Sequence, residues 1–96
     1  MPYKKARLIH SLKLIDEYGG IEERVIWEVP ESSKSPNGIR YRLAYIPKGA
    51  REPAVLYDNH HPKGHHKHLL GRQYLYEFSS VEKLLEDFRR DVEEAH

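Results

Sequence analysis

The sequence predicts an α+β fold: a largely antiparallel sheet of about five strands in a meander, with one C-terminal helix packed on it. Three observations carry this expectation. Apolar residues alternate with a period of two through several short runs, turn-forming residues separate those runs, and only the last stretch changes to a helical period. The connections are short, which suits a meander in which sequential strands are neighbours.

The first run places Ala6, Leu8, His10, Leu12 and Leu14 on one parity, with Arg7, Ser11 and Lys13 on the other. Glu17-Tyr18-Gly19-Gly20 is a turn signal, and Ile21 to Val29 alternates again through Val25, Trp27 and Val29, so a β-hairpin is the simplest account. Trp27 is expected in the core and His10 as a packed histidine. Pro30 ends the second strand because proline cannot donate to the ladder. Glu31 to Gly38 holds turn formers and no large apolar residue, which predicts a mobile loop.

Ile39, Tyr41, Leu43 and Tyr45 alternate with Arg40, Arg42, Ala44 and Ile46, giving a third strand whose outer face begins with two arginines. Pro47 to Pro53 turns the chain, Ala54 to Asp58 makes a short fourth strand, and Gln73 to Phe78 makes a fifth. Val81, Leu84, Leu85, Phe88 and Val92 then fall at helical spacing, while Ser79 with Glu82 reads as a capping box. The acidic outer face of this helix is expected to face solvent.

Ninety-six residues suit a single domain spanning 1–96, large enough for one core. No apolar run approaches the roughly 20 residues that span a bilayer, and Met1 to Lys5 leads into no signal-peptide core, so the sequence reads as cytoplasmic with no membrane partner. The absence of cysteine excludes disulfides and thiolate metal sites and leaves only histidines and carboxylates to hold a metal. The net charge of +1 hides a polarised distribution. Eight cations against two anions lie between Lys34 and Arg72, and three cations against seven anions between Glu77 and His96. Clustered Lys and Arg gain affinity for phosphates by releasing condensed counterions, which makes RNA a candidate partner; a solvated surface with segregated charges is the plain alternative.

Chemistry is concentrated from Tyr57 to Arg72, where five histidines, three cations, one carboxylate and one tyrosine fall together. Imidazole both donates and accepts protons near neutral pH, and a cation neutralises a phosphate under attack. These are the parts of a metal-independent ribonuclease that needs no cofactor. If the chain near His66 is extended, His66 and His68 project from one face and His65 and Lys67 from the other. The His-x-His pair also suits Zn²⁺, with Asp58 or His60 as a third ligand, and the plain reading is a set of solvated loop histidines.

The segment Tyr57-Asp58-Asn59, Lys63-Gly64 and His66-Lys67-His68, followed by an aromatic strand Tyr74 to Phe78 and by Ser80 to Phe88, resembles the TumE family of toxins. The front half is similar too, through Val25-Ile26-Trp27-Glu28-Val29-Pro30 and Tyr41-Arg42-Leu43-Ala44-Tyr45, so the resemblance covers nearly the whole chain. The family usually has Asp where this chain has His65. The resemblance implies a growth-inhibiting toxin of a type II toxin–antitoxin pair, silenced by a helix-turn-helix antitoxin.

His66 and His68 are the expected active pair, since both match the family pattern and share a parity. Asp58 orients one of them or caps a turn with Asn59. Lys63 is expected to contact phosphate as a member of the catalytic set, with Arg40, Arg42, Lys67, Arg72 and Tyr57 extending the nucleic-acid face. Tyr57, Tyr74 and Tyr76 stack on bases or fill the core. His60, His61 and His96 read as solvent-exposed. The alternatives are a non-enzymatic basic module that binds nucleic acid or protein, and a histidine-based metal site. A homodimer is left open. An acidic antitoxin surface is expected to cover Lys63 to Arg72 and to leave the C-terminal helix exposed.

Overall fold

A computed structural model describes residues 6–95; His96 lies outside the described residues. The six strands are β1 (Arg7–Ile15), β2 (Ile21–Glu28), β3 (Ile39–Ile46), β4 (Val55–Asp58), β5 (His66–Leu69) and β6 (Arg72–Leu75), followed by helix α1 (Val81–Glu94). They form one antiparallel sheet in the order of the sequence, so the expected α+β meander with a C-terminal helix is what the chain adopts, with one more strand.

The additional strand lies inside the histidine segment. β5 and β6 are joined by Leu70 and Gly71, both with positive φ (49° and 86°), as a two-residue hairpin whose twist matches its strands requires. Leucine is an uncommon occupant of a left-handed position, so the turn carries no sequence signature. The strand expected over Gln73 to Phe78 accordingly starts one residue earlier and ends at Leu75, and the chain from Tyr76 to Ser80 leads to the helix.

One face of the sheet is covered and the other is open. Ile26, Tyr41, Leu43, Tyr45, Val55 and Tyr57 meet Leu84, Phe88 and Val92 of α1 in the buried core. Alternation sends the intervening residues of β2 to β5 to the opposite face. Trp27 is therefore 40% exposed, not in the core, because no second layer covers its side of the sheet among the described residues. β1 also departs from its simple parity: a bulge between Leu8 and His10 puts Leu8 opposite Trp27 and His10 opposite Ile26. His10 is half-buried, and its Nε2 is enclosed without a hydrogen-bond partner.

The loop before β3 is tied down at both ends. Ser32 and Ser35 exchange backbone hydrogen bonds of 3.2 and 3.1 Å, and the Val29 amide donates to the Gly38 carbonyl at 2.8 Å. Gly20 closes the first hairpin beneath the Tyr45 hydroxyl, where a Cβ would overlap it. The N-cap of α1 is Ser80 rather than Ser79: Ser80 Oγ accepts from the Lys83 amide at 3.1 Å, and Lys83, not Glu82, occupies the third helical position. Two helix carboxylates are buried against the sheet. Asp87 accepts from Tyr76 and Lys83, each at 2.7 Å, and Asp91 accepts from the Tyr57 hydroxyl and from Lys67.

Candidate active site on the open sheet face

The antiparallel register brings three chemistry-bearing residues into one row. Arg42 on β3 stands opposite Asp58 on β4, and Asp58 opposite His66 on β5, all on the face away from the helix. The next row on that face holds Ala44, Leu56 and His68. His66 Nε2 lies 3.2 Å from Asp58 Oδ1, and its Nδ1 lies 2.8 Å from the Gly64 carbonyl oxygen. Both ring nitrogens thus face oxygen acceptors. With its side chain 5% exposed, His66 is a held residue.

Two more accessible imidazoles flank this pair. The His68 ring lies 5.1 Å from the His66 ring, edge to face at 74°. Among the described residues the His68 side chain makes no hydrogen bond. On the other side, His60 Nδ1 is 3.6 Å from the same Asp58 oxygen, with its side chain 54% exposed. His60 is placed there by the 60–64 turn, in which the Gly64 amide donates to the His60 carbonyl at 3.2 Å.

Asn59 explains why an amide follows the aspartate. β4 ends at Asp58, and the buried Asn59 side chain continues its ladder: Oδ1 accepts from the Tyr41 amide at 3.0 Å and Nδ2 donates to the Ile39 carbonyl at 2.7 Å. The backbone of β3 is satisfied where no strand remains to pair with it. Asp58 and Asn59 therefore divide their work, one toward the histidines and one toward the sheet.

The expected site residues separate into two groups. Asp58, His66, His68, Arg40 and Arg42 share the open face. Lys67 and Tyr57 do not: they are opposite each other in register and point toward α1. Tyr57 is fully buried, its hydroxyl bonded to Asp91, so it offers no ring to a base. The Lys67 ammonium is 3.2 Å from Asp91 and lies 5.4 Å from the Tyr57 ring centroid, so its charge is already neutralised. Arg72 is exposed opposite Leu69, on the parity of Lys67. Lys63 is exposed in the 60–64 turn and makes no hydrogen bond or ion pair among the described residues. The run of cations is thus no single basic face. A period of two distributes neighbours to opposite sides of a sheet.

Sequence reasoning missed His65 as a structural residue. Its ring stacks 5.1 Å from Phe78 and 5.7 Å from Tyr41, its Nδ1 is 2.8 Å from the Tyr41 hydroxyl, and its Nε2 is 2.7 Å from Asn37 Oδ1. Burial first, and then the neighbouring His66, hold His65 below the ordinary histidine range. Burial, aided by Tyr76 and Asp58, pushes the Tyr41 hydroxyl well above the ordinary tyrosine value. Neutral side chains are what this stack favours.

Beside the histidines the open face is concave. A groove of about 560 Å³ is floored by Val25, Trp27 and Val29 and bordered by Arg40, Arg42 and His60. Trp27 lies opposite Arg40, and Val25 opposite Arg42. Its floor is apolar and its border cationic. Among the described residues no group of three His, Asp or Glu side chains is arranged to hold a metal ion, and no helix is long and apolar enough to cross a membrane.

No solved structure matches the chain. The family model described as Toxin TumE matches residues 4–96, which takes in all six strands and the helix, and the chain belongs to the TumE family of toxins.

Proposed function

We propose that this toxin inhibits growth by cleaving RNA without a metal, at the row of side chains formed by Arg42, Asp58 and His66 with His60 and His68 on either side. The observation that carries the reading is the pair of more accessible imidazoles flanking the Asp58–His66 pair, in which His66 is buried and Asp58 half-buried, on an uncovered sheet face. Neutral His68 takes the proton of a ribose 2′-hydroxyl, and the 2′-oxygen attacks the adjacent phosphorus. Arg42 stabilises the charge of the resulting phosphorane. Protonated His60 gives its proton to the departing 5′-oxygen, leaving a 2′,3′-cyclic phosphate and a 5′-hydroxyl. His66, whose nitrogens are both engaged, is a positioning residue: with Asp58 it fixes the orientation of its neighbours, as a carboxylate fixes an imidazole in a catalytic triad.

As a toxin, the protein is expected to have an antitoxin partner. We take that partner to be a helix-turn-helix protein that lays acidic side chains over Arg40, Arg42 and His68. The experiment is to express wild type, His68→Ala and His60→Ala in cells, record growth and map RNA ends. Loss of toxicity with loss of new ends in both variants supports the reading. Toxicity that survives both variants favours a binding module that acts without cleavage.

A further inference from the structure

Trp27 presents a large aromatic surface where a packed core residue was expected, and its surroundings point to a ligand. Two arginines stand on the neighbouring strand, one of them directly opposite the indole, and the floor around it is aliphatic. A ring flanked by guanidinium groups is the combination that single-stranded nucleic acids use: bases stack on the aromatic face and phosphates meet the cations. Acidic peptides are served by the cations alone and gain little from an indole. A duplex hides its bases and does not reach it.

Trp27 on β2 and His66 on β5 are three strand steps apart and two residues apart along the strands. At about 4.8 Å per strand and about 3.3 Å per residue, they lie about 16 Å from each other on the same face. Arg42 stands between them, in the register row of Asp58 and His66. Among the described residues Arg42 has no carboxylate within ion-pair distance. The path from the indole to the histidines thus runs past Arg42 and then Asp58, and it is long enough for a few nucleotides.

We propose that the groove at Trp27 is a base-stacking subsite for single-stranded RNA, holding a nucleotide a few positions from the scissile phosphate, with Arg42 on the intervening backbone. The inference rests on the RNA-directed reading of the histidine site but is separable from its cleavage chemistry. It gives the toxin an unpaired strand as its substrate class, with a footprint of several nucleotides on one side of the cut.

Trp27 is the only tryptophan in the chain, so tryptophan emission, excited above the tyrosine absorption, reports this site alone. The test titrates the full chain with a 2′-O-methyl single-stranded oligonucleotide, which cannot be cleaved through its 2′-oxygen, with the same sequence as a duplex, and with poly-glutamate. The expected result is saturable quenching by the single strand, much weaker quenching by the duplex and none by poly-glutamate. By anisotropy of a labelled strand, Trp27→Ala weakens binding about 10-fold to 100-fold and Trp27→Phe restores most of it. Arg42→Gln weakens binding and lowers its salt dependence. Equal quenching by duplex and single strand overturns the subsite, as does unchanged binding in Trp27→Ala or quenching by poly-glutamate alone. Circular dichroism of each variant confirms that it is folded. Quenching without any cleavage of ordinary RNA supports the subsite and defeats only the cleavage reading. Cleavage without quenching defeats only the subsite.

Discussion

His66 Nε2 and Asp58 Oδ1 are 3.2 Å apart across the β4–β5 pair, and the opposite ring nitrogen of His66 is held by the Gly64 carbonyl. In the proposed mechanism His66 orients its neighbours, and His60 and His68 carry the protons. Asp58→Asn keeps the shape and removes the charge. It is expected to lower turnover about 10²-fold with little change in substrate affinity, and to shift the pH–rate profile, while the protein stays folded. A loss of affinity with turnover unchanged would make Asp58 a substrate-binding residue instead.

Lys67 is expected to matter for stability and not for RNA. Its side chain is 20% exposed and its partner Asp91 is 9% exposed, so Lys67→Met leaves an enclosed carboxylate without its cation. The expected cost is about 2 kcal/mol in a denaturant titration, less than the roughly 3–5 kcal/mol of a fully buried pair because Lys67 keeps some contact with water. RNA affinity of the folded variant should be unchanged. A stable variant with weakened RNA binding would place Lys67 on the binding face.

Acid should loosen the loop that carries the histidines. His65 sits below its ordinary value of 6.5 in the folded chain, by burial and then by the charge of His66. The unfolded chain therefore takes up a proton before the folded one does, and the stability this contributes is present above pH 6.5 and lost as pH falls through the folded value. Melting temperature should fall between about pH 7 and about pH 5, and His65→Gln should flatten that slope. The groups facing His65 are Tyr41, Asn37, Phe78 and His66. An identical slope in wild type and variant would show that His65 is not its source.

The helix start offers a clean comparison of neighbours. Ser80→Ala removes the hydroxyl that accepts from the Lys83 amide and should destabilise the protein by about 1 kcal/mol, whereas Ser79→Ala should change it by a few tenths. Equal effects would mean that the cap is shared.

Much of the architecture was legible because the longer elements announce their period. Ile39 to Ile46 alternates cleanly, and Val81 to Val92 repeats at helical spacing, so the meander and the helix follow from pattern alone. β5 was not legible, since its turn places Leu70 in a left-handed conformation that leucine seldom adopts. At the candidate site, parity correctly paired His66 with His68, and the same parity assigns Lys67 to the other side. What sequence does not encode is which side the helix covers. Val25 and Trp27 are as apolar as Ile26 between them, and a single helix leaves one of the two sets uncovered. The role of Trp27 and the burial of Tyr57 both depend on that choice.

If histidines on the open face cut RNA through its own 2′-hydroxyl, the ends of the product carry the signature of that route. Purified toxin is incubated with single-stranded RNA in excess EDTA, and the fragments are weighed by mass spectrometry. The expected fragments have 2′,3′-cyclic phosphate and 5′-hydroxyl ends, absent with His68→Ala or His60→Ala and absent wherever a 2′-deoxynucleotide stands at the cut. Fragments with 3′-hydroxyl and 5′-phosphate ends that persist in both variants, or intact RNA with the active wild-type protein, would contradict that route.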